Sequence, residues 1–234
     1  MITAVFFDLD GTLLPMDQDR FVQSYLGRMA KKLAPQGFDP DLLVKGIWKG
    51  TGAMVKNDGK QLNEAVFWEV FNATLGKDCK VYEELFLDYY RNEFQSVASD
   101  CGFAPEAAQV ISMLKEKGLQ VGLATNPLFP AIATQSRAKW AGLDPSDFAI
   151  ITTYENSRYC KPNPDYYRDI LATLDVKPEN CLMVGNDVQE DMVARELGMA
   201  VFLLTHSLIN RTGEDISAIP QGGFPELMTC IREL

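Results

Sequence analysis

Five short runs of apolar residues constrain the fold of this chain more than any other feature of its sequence. Most of these runs are continuous rather than alternating, which is typical of strands covered on both faces, as in a parallel sheet. The runs are Ala4–Phe7, Gln120–Thr125, Phe148–Thr153, Cys181–Gly185 and Ala200–Thr205. Helical patterns separate the later runs, and strands that alternate with helices predict a doubly wound, Rossmann-like α/β domain.

Three helical patterns lie between the later runs. Two of them end at a glycine, Gly118 or Gly142, the residue that most often follows a helix. The third follows Asn163, a predicted N-cap, and starts with a proline, which suits the first helical position. The three patterns are Ala104–Lys117, Leu128–Ala141 and Pro164–Leu174.

The interval from about residue 16 to residue 99 breaks the alternation. It contains no convincing strand, and a structureless loop of this length is uncommon in a compact domain. Its helical patterns are Asp17–Leu33, Pro40–Val55, Leu62–Leu75 and Val81–Phe94. The sequence therefore predicts an α/β core of residues 1–15 and 100–234 and a helical insertion of residues 16–99, with Pro15 and the stretch SDCGFAP at the hinges.

The charge balance of the chain limits its partners. The 234 residues carry a formal net charge of −10, which disfavours nucleic acid and anionic membranes as partners. A phosphate-bearing substrate must therefore meet a local group of cations or a metal ion. The five cysteines include no C-x-x-C pair, and the sequence shows no signal peptide and no apolar run of membrane-spanning length. We therefore expect free thiols and a cytoplasmic location.

Several catalytic classes are disfavoured because their motifs are absent. His206 is the only histidine, and no serine lies in a G-x-S-x-G sequence, so a Ser-His-Asp hydrolase is not expected. The motifs H-E-x-x-H, G-x-x-x-x-G-K-[ST] and G-x-G-x-x-G are also absent. A single histidine just past an apolar run is more often structural than catalytic.

Charged and polar side chains follow four of the predicted strands. In an open parallel sheet, ligands bind beyond the carboxyl ends of the strands, so these side chains are candidates for one site. The first two are carboxylates on one face of an extended chain, and at ~5 Å and an effective dielectric near 20 they repel by roughly 3 kcal/mol. The candidates are Asp8 and Asp10, Thr125 and Asn126, Lys161, and Asp187 and Asp191.

Two of these strand ends carry a further expectation. Pro127 is expected to open a helix whose backbone N–H groups face an anion. Asp187 and Asp191 are four residues apart, which places both carboxylates on one face of a predicted helix. Acidic and anion-binding groups are therefore expected at the same edge of the sheet.

The set of motifs resembles the haloacid dehalogenase (HAD) superfamily. The resemblance rests on four motifs in the family's order, which are D-x-D-G-T at residues 8–12, a strand ending in Thr125, Lys161-Pro before a helix, and G-N-D-x-x-x-D at residues 185–191. The insertion after the first motif resembles the helical cap of the family's first cap class. Asn186 stands where many relatives carry an aspartate, and Asp187 is the expected metal ligand because Asp-x-x-x-Asp is a spacing found in the family.

The resemblance implies a Mg²⁺-dependent phosphatase that acts on a small phosphorylated metabolite. Asp8 would attack phosphorus and become an aspartyl-phosphate. Asp10 would protonate the leaving oxygen and then activate water. Thr125 and the Asn126 amide would hold phosphoryl oxygens, and Lys161 would neutralise charge between the phosphoryl group and Asp8.

Mg²⁺ is the cofactor that this acidic site implies. Four carboxylates that converge on one site are tolerable only if a cation lies among them, and hard oxygen ligands suit Mg²⁺. By resemblance, the ion would be held by the Asp8 carboxylate, the Asp10 backbone carbonyl and the Asp187 carboxylate. Asp191 would bind it directly or through water, and Thr12 is expected to orient Asp10.

Other functions stay open on the sequence. A phosphomutase or other phosphotransferase of the same superfamily would use the same chemistry but retain the phosphoryl group for transfer. A catalytically inactive binding protein would be marked by the loss of a motif residue, and none is lost. Hydrolytic dehalogenation is not expected, because that branch generally lacks the second aspartate of the first motif.

The core motifs hold only the phosphoryl group, so the insertion is expected to select the leaving group. The polar stretch GTGAMVKNDGK at residues 50–60 offers Lys56 and Asn57 as substrate contacts, and Arg20 near the hinge is a third candidate. The alternative is that this stretch is an ordinary connection between two helices. The aromatic stretches AVFWEVF and LFLDYY are expected to form helix core rather than a binding surface.

Overall fold

The computed structural model describes residues 1–234 and contains one six-stranded sheet. The strands are β1 Ala4–Phe7, β2 Gln120–Leu123, β3 Ile150–Ile151, β4 Cys181–Gly185, β5 Ala200–Leu204 and β6 Gln221–Gly222. Their order is β3-β2-β1-β4-β5-β6, and every neighbouring pair is parallel. The predicted doubly wound parallel α/β fold is therefore confirmed. Only β6 was not expected, because its two residues, Gln221 and Gly222, carry no apolar side chain.

Eight α-helices accompany the sheet. They are α1 Gln18–Leu33, α2 Pro40–Val55, α3 Asn63–Leu75, α4 Glu83–Arg91, α5 Pro105–Glu116, α6 Ala131–Trp140, α7 Pro164–Leu174 and α8 Phe224–Glu233. The predicted helix Val81–Phe94 is wrong in its bounds, because α4 lies between two 3₁₀ segments, Lys80–Tyr82 and Glu93–Asp100. The backbone of Asn92, with φ −114° and ψ −85°, leaves the helical conformation at that point.

β1 lies at the centre of the sheet and packs against helices on both faces. Val5 and Phe7 join one hydrophobic cluster with apolar side chains of α5 and α8. Ala4 and Phe6 point to the opposite face and join a cluster with side chains of α7. Because successive strand residues face opposite sides, a strand covered on both faces needs apolar residues at every position. This explains why β1 reads as a continuous apolar run.

The helices of the insertion share a hydrophobic cluster that also includes Ala133 of α6. Asp17 and Asp39 begin α1 and α2 as N-caps, with their carboxylates accepting hydrogen bonds from the backbone N–H groups of Arg20 and Leu42. The cluster includes Phe21, Met29, Leu33, Phe71, Tyr89 and Phe94. The assignment of residues 16–99 to a separate cap domain stays a prediction, which this cluster supports.

Two further observations concern the whole chain. None of its helices has both the length and the apolar character that crossing a membrane requires. Its five cysteines are unpaired, as expected. The fold therefore rests on packing and hydrogen bonds without a disulfide.

Helices α2 and α3 pack closely at Gly46. A Cβ atom at this position would lie 2.5 Å from Cδ1 of Leu75 and 3.0 Å from Cδ2 of Phe71. Both neighbours belong to α3, so an added methyl group would push the helices apart. Gly27, in the middle of α1, has open space around the same position, with nothing within 4 Å.

These two glycines predict opposite effects of the same substitution. Gly46→Ala should lower the free energy of unfolding by about 1–3 kcal/mol, because overpacking outweighs the gain in helix propensity. Gly27→Ala should raise it by up to about 1 kcal/mol, since alanine favours the helix and meets no neighbour. Urea denaturation of both variants measures the difference. A stabilised Gly46→Ala variant would contradict the close packing of α2 and α3.

Candidate active site

The carboxyl ends of β1, β2 and β4 border a cleft of about 180 Å³. The strand order reverses between β1 and β4, which is where open α/β sheets bind ligands. Phe7 pairs with Val184, so the chain leaves β1 directly beside the loop that follows β4. Six of the predicted core residues line the cleft, namely Asp8, Asp10, Thr125, Asn126, Asp187 and Asp191.

Lys161, the seventh predicted core residue, joins two of the carboxylates. Its Nζ lies 3.0 Å from Oδ1 of Asp8 and 2.6 Å from Oδ1 of Asp191, and its side chain is 0% exposed. Burial alone lowers the pKa of Lys161, but the carboxylates of Asp191 and Asp8 outweigh it and raise the pKa well above its ordinary value. Lys161 therefore holds a positive charge between the two carboxylates.

Asp10 pairs with a cation that the sequence analysis missed. Arg137, on α6, donates from Nη1 to Oδ2 of Asp10, and its side chain is 1% exposed. The other carboxylate oxygen, Oδ1, is buried without a hydrogen-bond partner. Burial raises the pKa of Asp10, and Arg137 opposes this shift. The sequence contains one signal for this cation. Arg137 lies one helical turn from Ala133 and from Ala141, which places it on the apolar face of the helix.

Thr12 contacts Asp8 rather than Asp10. Its hydroxyl oxygen lies 3.2 Å from Oδ2 of Asp8 and 2.8 Å from Oδ1 of Asn186, so the expectation that Thr12 orients Asp10 is wrong. Gly11 permits this arrangement, because its φ is +87° and a Cβ there would lie 2.5 Å from Nδ2 of Asn186. Asn186 therefore links the ends of β1 and β4.

The carboxylates of the fourth motif lie in a turn and not in a helix. Oδ2 of Asp191 accepts a hydrogen bond from the backbone N–H of Asp187 at 3.0 Å. Oδ1 of Asp187 accepts from the N–H groups of Gln189 and Glu190, each at 3.0 Å. These side-chain bonds compete with helical ones. A 3₁₀ segment, Met192–Leu197, follows, so the predicted helix face is replaced by one side of a turn.

The predicted metal ligands share the cleft but do not surround a common point. Asp187 pairs through Oδ2 with Arg211, as the other carboxylates pair with Lys161 or Arg137. No group of three or more His, Cys, Asp or Glu side chains is arranged to hold a metal ion. The carboxylates are drawn toward three cations instead, with Asp8 and Asp191 sharing Lys161. The ligands in question are Asp8, Asp10, Asp187 and Asp191.

Thr125 and Asn126 border the cleft after β2. The Thr125 carbonyl accepts hydrogen bonds from the hydroxyls of Thr152 at 2.7 Å and Tyr166 at 2.9 Å. Asn126 donates from Nδ2 to Oε2 of Glu190 at 3.0 Å, and its own Oδ1 is buried without a partner. Burial raises the pKa of Glu190. Glu190 is a fifth carboxylate of the cleft, and nothing in its local sequence distinguishes it from a surface residue.

Helix α6 begins at Ala131 and not at Pro127. The backbone N–H of Ala131 donates to both carboxylate oxygens of Glu155, at 2.8 and 3.1 Å. A carboxylate therefore already occupies this helix N-terminus, where an anion is favoured. The prediction that the N–H groups of this helix face a phosphate is wrong for that reason.

None of the three residues predicted as substrate contacts in the insertion lines the cleft. Lys56 is exposed at the end of α2, and Arg20 is exposed and pairs with Asp100 at 2.9 Å. Asn57 is buried, but its Nδ2 donates to Oδ1 of Asn63 at 2.8 Å and so closes the loop. The face that α1 turns toward the cleft depends on tertiary packing, which local sequence does not reveal. Four residues from the start of the insertion line the cleft instead, Met16, Gln18, Phe21 and Val22.

Most of the chain matches a single protein family. The family described as haloacid dehalogenase-like hydrolase matches residues 2–198. The chain belongs to this family. The HAD resemblance carried by the four motifs is thereby confirmed, and the ordered arrangement of these motifs around one cleft agrees with it.

Several relatives of this HAD hydrolase are named phosphatases. It is 26% identical over 213 residues to a phosphoglycolate phosphatase of Colwellia psychrerythraea, covering 91% of this chain and 88% of that protein. It is 25% identical over 242 residues to a glyceraldehyde 3-phosphate phosphatase of Methanocaldococcus jannaschii, covering 100% and 99%. A HAD phosphatase structure from Thermococcus onnurineus shares the fold with a TM-score of 0.60, at 21% identity over 98% of both chains. The prediction of a HAD-like phosphatase is confirmed.

Replacing Arg137 should destabilise this HAD hydrolase strongly. Arg137→Met removes the cation that faces the Asp10 carboxylate, and the loss of one partner of a buried ion pair costs about 3–5 kcal/mol. We expect a decrease of this size in the free energy of unfolding, measured by urea denaturation. Arg168→Met is the matched control, because Arg168 pairs with Asp165 at an exposed site and should contribute less than about 1 kcal/mol.

A double variant separates charge from packing. Arg137→Met combined with Asp10→Asn should recover part of the lost stability, since the uncompensated carboxylate is gone. An equal loss in the single and double variants would show that Arg137 contributes through packing instead of through its ion pair.

Proposed function

We propose that this protein is a Mg²⁺-dependent phosphatase that hydrolyses a small phosphorylated metabolite through an aspartyl-phosphate on Asp8. The observation that carries the proposal is the environment of Asp8 at the end of β1. Lys161 binds one of its carboxylate oxygens at 3.0 Å, and Thr12 lies 3.2 Å from the other. The phosphatases among the relatives of this chain support the same reaction class.

Asp8 is proposed as the nucleophile. Its carboxylate attacks phosphorus, the bond from phosphorus to the leaving oxygen breaks, and the phosphoryl group is transferred to Asp8. The contacts with Lys161 and Thr12 restrict rotation of the carboxylate, so that it is oriented before the substrate binds. The ammonium of Lys161 also offsets the charge of the phosphoryl oxygens as they approach.

Asp10 is proposed to move the protons. Arg137 holds its Oδ2, so Oδ1, which has no hydrogen-bond partner, is the oxygen that can carry a proton. It would give this proton to the leaving alcohol and later accept one from the water that attacks the aspartyl-phosphate. Burial raises the pKa of Asp10, which favours the protonated form that the first step requires.

Thr125 and Asn126 are proposed to hold the phosphoryl oxygens. The hydrogen bonds from Thr152 and Tyr166 to the Thr125 carbonyl fix the backbone at this point. The Thr125 hydroxyl and the Asn126 backbone N–H are therefore held in place before the substrate arrives. Donors that are fixed in advance stabilise developing charge without reorganisation during the reaction.

The donor atoms of the cleft suit Mg²⁺. Five carboxylates line the cleft but only three cations contact them, which leaves negative charge for a divalent ion. Carboxylate oxygens are hard ligands of the kind that Mg²⁺ prefers. When bound, the ion supplies positive charge next to the phosphoryl oxygens. The proposed ligands are the carboxylates of Asp8, Asp187 and Asp191 and the backbone carbonyl of Asp10.

Arg211 must release Asp187 before that carboxylate can bind the ion through Oδ2. The side chain of Arg211 is 51% exposed, whereas those of Lys161 and Arg137 are 0% and 1% exposed. Arg211 can therefore turn into solvent at a small cost, which the two buried cations cannot do. Arg211 and Mg²⁺ compete for Asp187.

This competition predicts that Arg211→Ala binds Mg²⁺ more tightly than the unmodified protein. Arg211 is half-exposed although Asp187 is buried, so the pair contributes about 1 kcal/mol, and its removal should lower the Kd for Mg²⁺ by about fivefold. Isothermal titration calorimetry measures this directly. Arg195→Ala is the matched control, since Arg195 is 49% exposed and pairs with Glu214 outside the cleft. Equal Kd values for the two variants would contradict the competition.

The catalytic roles predict distinct defects in two variants. The unmodified protein should release phosphate from a phosphate monoester in the presence of Mg²⁺, and EDTA should stop the reaction. Asp8→Asn should abolish turnover. Asp10→Asn should lower kcat by about 10²–10⁴-fold for an alkyl phosphate. With p-nitrophenyl phosphate, whose leaving group needs little protonation, the Asp10→Asn variant should accumulate phosphorylated enzyme, detectable by mass spectrometry. Phosphate attached to a residue other than Asp8 would refute the assignment.

A further inference from the structure

An apolar chamber lies beside the cleft, between helices of the insertion and the loop after β2. Its volume is about 140 Å³, thirteen of its fifteen lining residues are hydrophobic, and none is charged. Trp68 and Tyr90 come from the two aromatic stretches that the sequence assigned to helix core. These stretches therefore also form the wall of a cavity. The aromatic side chains of the chamber include Tyr25, Trp48, Phe67, Trp68, Tyr90 and Phe129.

The chamber adjoins the cleft. Val22, Leu128 and Phe129 line both cavities. A leaving group that extends from Asp8 past these three side chains would enter the chamber.

The chamber offers no partner for a negative charge. Its lining contains no lysine, arginine or histidine. Lys161 and Arg137 are buried against carboxylates of the cleft, and Arg211 lines the cleft but not the chamber. A carboxylate or a second phosphate on the leaving group would lose its water in the chamber without gaining a cation, which is strongly unfavourable.

The size of the chamber and a buried donor in its wall further limit the leaving groups that fit. An apolar protein cavity of ~150 Å³ holds one molecule of benzene, so the chamber fits one ring. Trp68 is 5% exposed, and its indole N–H lies near the side chain of Tyr154 without forming a hydrogen bond of good geometry. A buried donor of this kind is expected to find an acceptor, which a ligand can supply.

We propose that the chamber binds the leaving group of the substrate and that this leaving group is an uncharged, ring-sized apolar alcohol with a hydrogen-bond acceptor for Trp68. The proposal rests on the phosphatase function proposed above. The proposed substrate differs from phosphoglycolate, for which one relative is named, because phosphoglycolate carries a carboxylate on its leaving group. The preference for one substrate over another would then come from desolvation of the leaving group against the insertion and not from an ion pair.

Three phosphate esters of primary alcohols test the proposal. We expect kcat/KM for benzyl phosphate to exceed that for ethyl phosphate and for phosphoglycolate by about tenfold or more, because only the benzyl group buries a ring. All three reactions are followed by phosphate release. Equal values for benzyl and ethyl phosphate, or a preference for phosphoglycolate, would overturn the proposal.

Two variants on neighbouring positions of α2 link the preference to the chamber. Thr51 lines the chamber, so Thr51→Phe should fill it and bring the ratio of kcat/KM for benzyl and ethyl phosphate to about one. Gly52 does not line it, and nothing lies within 4 Å of a Cβ there, so Gly52→Phe should keep the ratio of the unmodified protein. A ratio that survives Thr51→Phe would place the ring elsewhere.

A binding measurement keeps this inference separate from the proposed reaction. If no ester is hydrolysed, the proposed function fails, but the chamber can still be tested with benzyl alcohol. Trp48 and Trp68 line it, so tryptophan fluorescence should change in a saturable way on titration of the alcohol. The change should persist in Gly52→Phe and vanish in Thr51→Phe. No change in the unmodified protein would overturn the inference.

Discussion

The buried ammonium of Lys161, shared by Asp8 and Asp191, is the interaction on which the site depends. The parallel register of β1 and β4 brings the first and fourth motifs to one edge of the sheet. Asp8 and Asp191 would meet there as like charges in a poorly solvated space, where repulsion is larger than in water. Lys161 reaches both carboxylates, at 3.0 and 2.6 Å, and so makes this meeting tolerable. The chemistry of the cleft is therefore a consequence of strand order.

In the proposed reaction, the cleft and the chamber divide substrate recognition between the two parts of the chain. The strand ends of the core contribute nearly all the charged groups, and their geometry suits a phosphoryl group. The helices of the insertion contribute an uncharged wall, whose side chains belong to the same aromatic cluster that holds those helices together. One set of residues thus stabilises the insertion and shapes the cavity. A change of substrate preference there has to preserve helix packing at the same time.

The parts of the structure that depend on local patterns could be predicted from the sequence. Continuous apolar runs located five of the six strands, and the D-x-D-G-T motif located Asp8 and Asp10. The ion pairs of Arg137 and Arg211 could not be found in this way, because these residues lie 127 and 24 residues from the carboxylates that they contact. Asn57 shows the opposite error. Its polar, glycine-rich surroundings suggested a ligand contact, but its side chain makes hydrogen bonds within its own loop.

The position of Arg137 couples the insertion to Asp10, the proposed proton-transfer group. Its guanidinium carbon lies 4.2 Å from the ring centre of Phe129 and 5.9 Å from that of Phe21, which belongs to α1. A side chain of the insertion therefore covers part of the Arg137–Asp10 ion pair. A displacement of α1 away from the core would admit water, raise the local dielectric and weaken the attraction between the two charges. The pKa of Asp10 would then depend on how closely the insertion covers the sheet.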